Sequence, residues 1–510
     1  MSTNSPIPAE TPTVSKHPLR EMLAIAGPTV VTMTSYTVMQ SVDKLMASRI
    51  DPDPIYVGAQ GNGGLASFAP IAIAFGFITV VNTYVSQNMG AGKPERGPAY
   101  VWNAMWFAVL WWILLLPYGY FLPDIFHMLW SQQDGAAPSS DLARRIELSC
   151  AYGQPLVYAA ILTMGSRAIW QYFYGMHRAK VVLVAGLAGN VVNFVFNSVL
   201  IYGSHAPESV TGFMAPWFAM TAKIADALNI PAMGIAGAAY GTILGSVVEA
   251  AIPMAIFLGP KLNKQYKTRS SWRPSLGHMK DLFKIGWPGA LMFGNEMVCW
   301  SLFMVYFVGR FGAEHSNAGW IAHQWMSLSF MPTVGISIAA TATVGKYMGM
   351  KRPDIAAKRA WLAVGVAVLW MSFMGAMFLI FRREMVGLFI DEGTTGAMRD
   401  KVLKLGMGFM LATAAFQFFD AIAMTLSGAL RGAGDTVIVG VLTVALAWGL
   451  IVGGSWYLVT YHPKLESQGP WIAAAAYIIV LSLVILARFL SGKWKTIKLM
   501  ESSVAHAPVV

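Results

Sequence analysis

What this chain has least of is charge. Only 12% of its 510 residues are Asp, Glu, Lys or Arg, and 25 acids stand against 36 bases. A soluble domain carries about twice that charged share, and a 56% hydrophobic content excludes an ordinary soluble fold. Cysteine is nearly absent as well. Cys150 and Cys299 stand alone, which excludes a disulfide framework and a cysteine metal centre. There is no HExxH, no paired-histidine metal motif and no nucleophile elbow, so nothing supports an enzyme embedded in the membrane. No charged n-region leads into a short apolar core, so no signal peptide is evident. Residues 1–18, rich in Ser, Thr and Pro, read as a disordered cytoplasmic tail.

Long apolar runs are what the chain does have. They lie near 22–50, 65–88, 100–122, 142–170, 178–202, 233–258, 281–309, 317–346, 357–381, 400–428, 434–459 and 469–491. Each is long enough to cross a hydrocarbon layer of about 30 Å. The expected fold is therefore an all-α polytopic membrane protein of about twelve transmembrane helices. The polar stretch Asp51–Gly63 reads as a long loop, and the segment 204–232 as holding a short helix on the outer surface. Trp102, Trp106, Trp111 and Trp112 read as interfacial anchors or lipid-facing bulk.

The net charge of +11 would suggest nucleic acid in a soluble protein. Here its placement explains it better. With the N-terminus in the cytoplasm, Lys and Arg favour the cytoplasmic loops by about two to one, which puts both termini inside a plasma or bacterial inner membrane. The densest group runs from Lys261 to Lys284. Such loops suit anionic lipid, and no nucleic-acid partner is expected.

An internal repeat divides the chain. Val85-Ser-Gln-Asn-Met89-Gly90-Ala-Gly-Lys93-Pro94-Glu95 recurs as Val344-Gly-Lys-Tyr-Met348-Gly349-Met-Lys-Arg352-Pro353-Asp354. Upstream, Leu19 to Pro28 resembles Met279 to Pro288, and downstream Gly175-Met-His-Arg178 echoes Gly428-Ala-Leu-Arg431. A unit of six spans returns the chain to the same side, so the halves are parallel repeats, between which transporters commonly bind substrate and ion. The expected division is an N lobe at 19–260, a basic cytoplasmic linker at 261–280, a C lobe at 281–491 and a cytoplasmic tail at 492–510. The linker is expected to tether the lobes without transmitting their motion.

Few ionisable residues fall within the spans: Asp43, Lys44, Arg167, Glu249, Glu296 and Asp420. An acid in hydrocarbon is costly and by default marks an ion or substrate pathway. Asp420 sits in the apolar part of the stretch AFQFFDAIAMTLSGALRGAGDT (Ala415–Thr436), beside Phe416, Phe418 and Phe419. Its glycine-rich end stops a helix, and Asp435 or Thr436 can cap the next. Glu296 lies in the same half, so the two acids could converge, as a proton- or cation-coupled site requires. Asn193 and Asn197 share a helix face. Their carbonyls suit a sodium ion, or else they bond between helices. His323 and Gln324 read as a packed, hydrogen-bonded pair rather than a proton relay, and Glu249 as a residue snorkelling toward the inner interface.

Over nearly its whole length the chain resembles the multidrug and toxic compound extrusion (MATE) family, and its NorM-like branch most closely. The residues that carry the likeness are Pro28 with Ser41-Val-Asp43-Lys-Leu-Met46, Val85 to Gly92, and Asn193-Phe-Val-Phe-Asn197. Gly286-Trp-Pro before Glu296, Ala322-His-Gln324, and Asp420 before Gly428-Ala-Leu-Arg-Gly432 complete them. The resemblance implies two six-helix lobes around a V-shaped cleft. It implies export of amphipathic or cationic small molecules in exchange for sodium ions or protons, with no cofactor, by a monomer. By position, Asp43, Asn193, Asn197 and Thr242 match the family's first-lobe cation site. Glu296 and Asp420 match the second-lobe site. Two positions depart from the pattern. Lys44 replaces a small polar residue, and Phe416 replaces the tyrosine of NorM-like members, losing a hydroxyl ligand while keeping a ring for cation–π contact. The alternative is a lipid-linked oligosaccharide flippase of the same wider fold, whose cleft would favour bases to meet pyrophosphate.

Overall fold

A backbone inside hydrocarbon must satisfy its own N–H and C=O groups, and this chain does so with helices. The structure, a computed structural model, describes residues 13–51, 53, 55–134, 140–205, 207, 212–390 and 396–500, and contains no strand among them. The first helices are α1 (Pro18–Ala47), α2 (Ile55–Gly90), α3 (Gly97–Tyr120), α4 (Leu122–Asp134), α5 (Ser140–Tyr158), α6 (Ala160–Gly175) and α7 (Ala179–Leu200). Next come α8 (Ala215–Ala227), α9 (Gly234–Leu258), α10 (Pro260–Tyr266), α11 (Leu276–Ser301) and α12 (Ala313–Gly349). The last are α13 (Pro353–Ile380), α14 (Arg382–Gly387), α15 (Gly396–Ala433), α16 (Val437–Leu446), α17 (Ser455–Tyr461) and α18 (Gln468–Leu490). A π-helical stretch, Leu302–Val308, extends α11, and another, Ala447–Gly454, joins α16 to α17.

Eleven helical stretches among the described residues are long and apolar enough to cross a membrane. The crossing expected at 142–170 is the exception, because it is split into α5 and α6. Its first turns carry Arg144, Arg145 and Glu147, which lower its hydropathy. The break at Ala159 is braced from outside. The indole nitrogen of Trp112 donates to the Tyr158 carbonyl at 2.8 Å.

The two lobes meet in a symmetric seam. α1 packs on α12, α11 packs on α2, and α2 packs on α12 between these pairs. Glycines bring the backbones together. A Cβ on Gly76 would strike the backbone of Gly289 and Ala290, and one on Gly335 that of Thr29 and Val30. Further along, Gly90 lies on the Lys346 carbonyl while Gly349 lies on that of Gln87. Gly90 and Gly349 are partners in the sequence repeat, so the repeat builds a two-fold seam.

Five helices end in one kind of turn. A residue of positive φ is followed by an amide that bonds back five residues: Lys93 to Asn88, Arg178 to Phe173, Ile230 to Ala225, Arg352 to Tyr347 and Asp435 to Leu430. The positive φ falls on Gly92, His177, Asn229, Lys351 and Gly434. This corrects one alignment made above. Gly175–Arg178 forms the turn after α6, but its counterpart is Gly432–Asp435, because Gly428–Arg431 is still inside α15. Nor does Asp435 or Thr436 cap α16 with a side chain. Asp435 instead accepts from the Arg488 Nε at 2.8 Å.

Several supposed loops are structured. α2 begins at Ile55, so the polar stretch read as loop is helical, with Gly63 against the Ser149 carbonyl and Gly153 of α5. The linker holds α10 and a 3-10 turn, and its middle is tied to α3. Trp102 donates to the Thr268 carbonyl at 2.7 Å and Trp106 to the Trp272 carbonyl at 2.8 Å. Those tryptophans, with Trp111 donating to Pro70, are therefore bonded to protein rather than merely facing lipid. Residues 1–12 and 501–510 of the expected tails lie outside the described residues. Of the rest, the Ser15 carbonyl accepts from Arg359 at 3.0 Å, and Trp494 is fully buried. The short helix expected within 204–232 is α8.

Because backbone meets backbone at the seam, Gly76→Val and Gly335→Val should each destabilise the protein by about 1–3 kcal/mol. Gly165→Ala, with open space around it, should not. Heating while following thiol exposure at the buried Cys150 and Cys299 measures this. Unchanged midpoints for both valine variants would contradict the seam.

Candidate functional site

In the N lobe, three helices bring one polar cluster together. α1 contributes Asp43, α7 contributes Asn193 and Asn197, and α9 contributes Thr242. The Asn197 amide donates to Asp43 Oδ1 at 2.8 Å and to Asn193 Oδ1 at 3.3 Å. Asn193 in turn donates to Thr242 Oγ1 at 3.2 Å, which donates to the Ala238 carbonyl at 2.9 Å. Asp43, Asn193 and Asn197 are all buried. Gly241 makes room for this, since a Cβ there would fall on the Asn197 oxygen. Sequence reading missed Tyr152 and Gln60, which complete the cluster. Tyr152 of α5 stands beside Asp43, Gln60 and Thr242. The only hint was a tyrosine and a glutamine in otherwise apolar or glycine-rich surroundings. The side-chain oxygens of Asn197 and Gln60 have no hydrogen-bond donor. Unpaired oxygens beside a carboxylate are the donor set a small hard cation takes. Lys44 points away and is exposed.

In the C lobe, Glu296 of α11 and Asp420 of α15 come close enough for their charges to act on each other. Tyr477 of α18 lies within the field of both, and Cys299 within that of Glu296. Glu296 is exposed and Asp420 half-buried, so this pair is more open than Asp43. Phe416 is fully buried behind them, in an apolar cluster with Cys299, Phe409, Trp471 and Tyr477. No face of its ring is open for a cation–π contact. Tyr477 was not foreseen, because a tyrosine in an apolar span carries no signal of what it will face.

Two other expectations change. His323 and Gln324 do not form a pair. His323 packs edge-on against Trp300 and Trp320, with ring centroids 6.1 and 5.6 Å away. Gln324 lines a groove between the lobes. Glu249 does not snorkel but is buried against Gly189.

Among the described residues, the polar bonds that tie α1, α2 and α6 to α12, α13 and α15 gather toward one end. Glu21 of α1, its side chain 8% exposed, binds Lys346 at 2.8 Å and Arg359 at 3.0 Å, and accepts from Tyr347. Beside it, Thr83 and Gln87 donate to the Arg431 and Gly432 carbonyls at 3.0 and 2.9 Å. His177 meets the Ala342 carbonyl at 3.3 Å. Burial and then the nearby Lys346 ammonium push its imidazole down to about 4, so it joins the seam uncharged. Toward the other end, Thr37, Ser41 and Leu45 of α1 face Gln324, Trp325 and Leu328 of α12 across a cavity of about 310 Å³.

The sequence model of the MatE family matches residues 28–199 and 292–454. A probable multidrug resistance protein NorM of Burkholderia pseudomallei is 27% identical over 485 residues, 94% of each chain. A protein of the same description from Thermotoga maritima is 28% identical over 332 residues, covering 62% of this chain and 66% of its own. Among solved structures, a MOP superfamily transporter from Pyrococcus furiosus matches with a TM-score of 0.78 at 17% identity. That match covers 95% of this chain and all of that one. A eukaryotic MATE transporter, AtDTX14, matches at 0.77 and 15%, over 94% and 96%.

Asn197→Leu leaves a buried carboxylate without its donor and should destabilise the protein by about 1–3 kcal/mol. The double variant Asp43→Leu, Asn197→Leu, which removes both partners, should recover much of that loss. Thermal unfolding of the three proteins checks it, and additive effects would contradict the pairing.

Proposed function

Because this chain belongs to the MatE family, whose members are transporters rather than enzymes, we propose that it is a multidrug exporter that exchanges its substrates for sodium ions or protons. The substrates are organic cations and other amphipathic toxic compounds. The observation that carries this reading is the pairing of acids inside apolar spans with a cleft whose tying bonds gather toward one end. An acid at that depth draws a cation, and a cleft sealed by Glu21, Lys346 and Arg359 offers it access from the opposite side. The curated relatives support the substrate class through their description as multidrug resistance proteins. The charges at the two lobe sites are acids, which disfavours a pyrophosphate-bearing lipid.

The mechanism follows from the charges. Asp43 in one lobe, and Glu296 with Asp420 in the other, attract either a coupling cation or a cationic drug. A cation on the acids removes the charge that held the drug. A ligand that prefers one facing state shifts the protein toward it and weakens whatever prefers the other. The lobes then rock about the glycine seam, carrying drug outward and ion inward. In this reading both termini and the linker face the cytoplasm and the protein works as a monomer in the cell membrane. Single-cysteine labelling within 261–280 tests the orientation, and reaction with an impermeant reagent from outside would reverse it.

Glu296→Gln and Asp420→Asn keep size and remove charge. Each should lower export roughly tenfold or more while folded protein stays in the membrane. The measurement is dye efflux from cells matched for protein level. Normal efflux by both variants would remove the pair from the coupling site.

A further inference from the structure

Besides the exposed Lys44, Glu249 and Arg167 are the ionisable residues of the N-lobe spans that the exchange mechanism leaves unused. The residues around them repeat the Asp43 site two helical turns lower, toward the end closed by Glu21. On α1, Tyr36 stands two turns before Asp43, and on α9, Glu249 stands two turns after Thr242, a shift of about 10 Å on one face. On α7, Asn190, Asn193 and Asn197 form one stripe between the two levels.

The lower level is built, not incidental. The Glu249 side chain rests on Gly189 of α7, where an added Cβ would meet its Cγ and Oε1. Trp170 donates to the Glu249 carbonyl at 3.2 Å. The Arg167 guanidinium is boxed by aromatic faces: Trp170 at 4.6 Å, Tyr36 at 4.9 Å and Phe75 at 5.7 Å. Such a box holds a cation whether or not an anion is near. Tyr36 faces Glu249 at hydrogen-bonding reach, and three polar atoms along the column lack hydrogen-bond partners: Tyr174 Oη, Asn190 Oδ1 and Asn197 Oδ1. Tyr174 is 1% exposed and Asn197 not at all. The neighbours that act on Glu249 are Tyr36 from α1 and Arg167 and Tyr174 from α6. Asn190 and Asn193 face the column from α7 and do not titrate. Arg167 is the one full charge among them.

We propose that Glu249 is a second proton site of the N lobe, and that one proton passes between the Asp43 and Glu249 carboxylates during the transport cycle, carried by water ordered on the unpartnered oxygens of Asn190 and Asn197. This rests on the ion-exchange reading above. The proton leaves the Asp43 carboxyl, whose carboxylate is then held by the Asn197 amide, and the Glu249 carboxylate takes it up. The lobe's net charge is unchanged by the transfer. The ligand is a proton rather than a metal ion because Arg167 already places a permanent positive charge beside Glu249.

The test uses purified protein in lipid vesicles with ethidium as the probe. Two rates are compared: uptake driven by a pH gradient, and ethidium–ethidium counterflow, which needs no ion. Glu249→Gln should keep counterflow and ethidium affinity within about twofold, yet lose pH-driven uptake by roughly tenfold or more. Glu249→Asp keeps the acid one methylene back and should move the pH midpoint of uptake without abolishing it. That variant carries the test if Glu249→Gln does not fold. Gly189→Ala should impair pH-driven uptake selectively as well. A pH profile of Glu249→Gln, or of Glu249→Asp, that superimposes on the wild type overturns the second site. Wild-type uptake that ignores both sodium and pH gradients overturns the exchange reading itself. Uptake driven by sodium alone, equal in wild type and Glu249→Gln, sinks only the second site.

Discussion

A charge inside a bilayer must be answered by something, and that constraint shapes this molecule. The hydrocarbon offers neither water nor counter-ion, so each acid in an apolar span needs a partner or a passing cation. Asp43 is answered by the Asn197 amide. Glu249 lies against a lobe interior that also holds an aromatic-boxed Arg167. Glu21 is answered twice over, by Lys346 and Arg359, and these two ion pairs are among the bonds that tie the lobes. Glu296 and Asp420 are different. They have each other, and like charges do not answer one another. That pair is the least settled electrostatically, which is why the transport reading places a cation or proton there.

The seam has the opposite character. It is made of glycine and backbone, with Gly76 and Gly335 at one level and Gly90 and Gly349 at another. Backbone contacts this close resist stretching, yet they bind no side chain that must be torn free when one lobe turns on the other. The polar bonds that would have to break are gathered at one end, around Glu21, Thr83 and Gln87. A hinge of small residues with a separate polar lock suits two facing states differing by a few kcal/mol.

Much of this was legible in the residues. Apolar runs gave the crossings, and the Met-Gly repeat gave two halves that do meet as symmetric partners. Asp43, Asn193 and Asn197 could be named because polar residues are rare in such spans, Thr242 only through the family resemblance, and the four lie together. What could not be read was which neighbours complete a site. Gln60 sat in a glycine-rich stretch that looks like loop until Gly63 is seen against α5. Tyr152, Tyr477 and Tyr36 are ordinary residues for a membrane helix, and only packing gives them a partner. Asp435 had the sequence context of a cap, but Arg488, distant in the chain, outcompeted the backbone amides. Glu249 was misread for a related reason. Its distance from the membrane surface was visible, but the pocket made for it by Gly189 was not.

The central claim is that cation occupancy of the lobe acids sets which end of the cleft is closed. Paired spin labels test this most directly, one pair at Ser48 and Leu388 by the open groove and one at Arg20 and Lys351 by the Glu21 lock. Sodium or acid should shorten the first distance and lengthen the second, and a cationic drug should reverse both. Distances that stay fixed through all three titrations, or two ends that open together, would contradict the account.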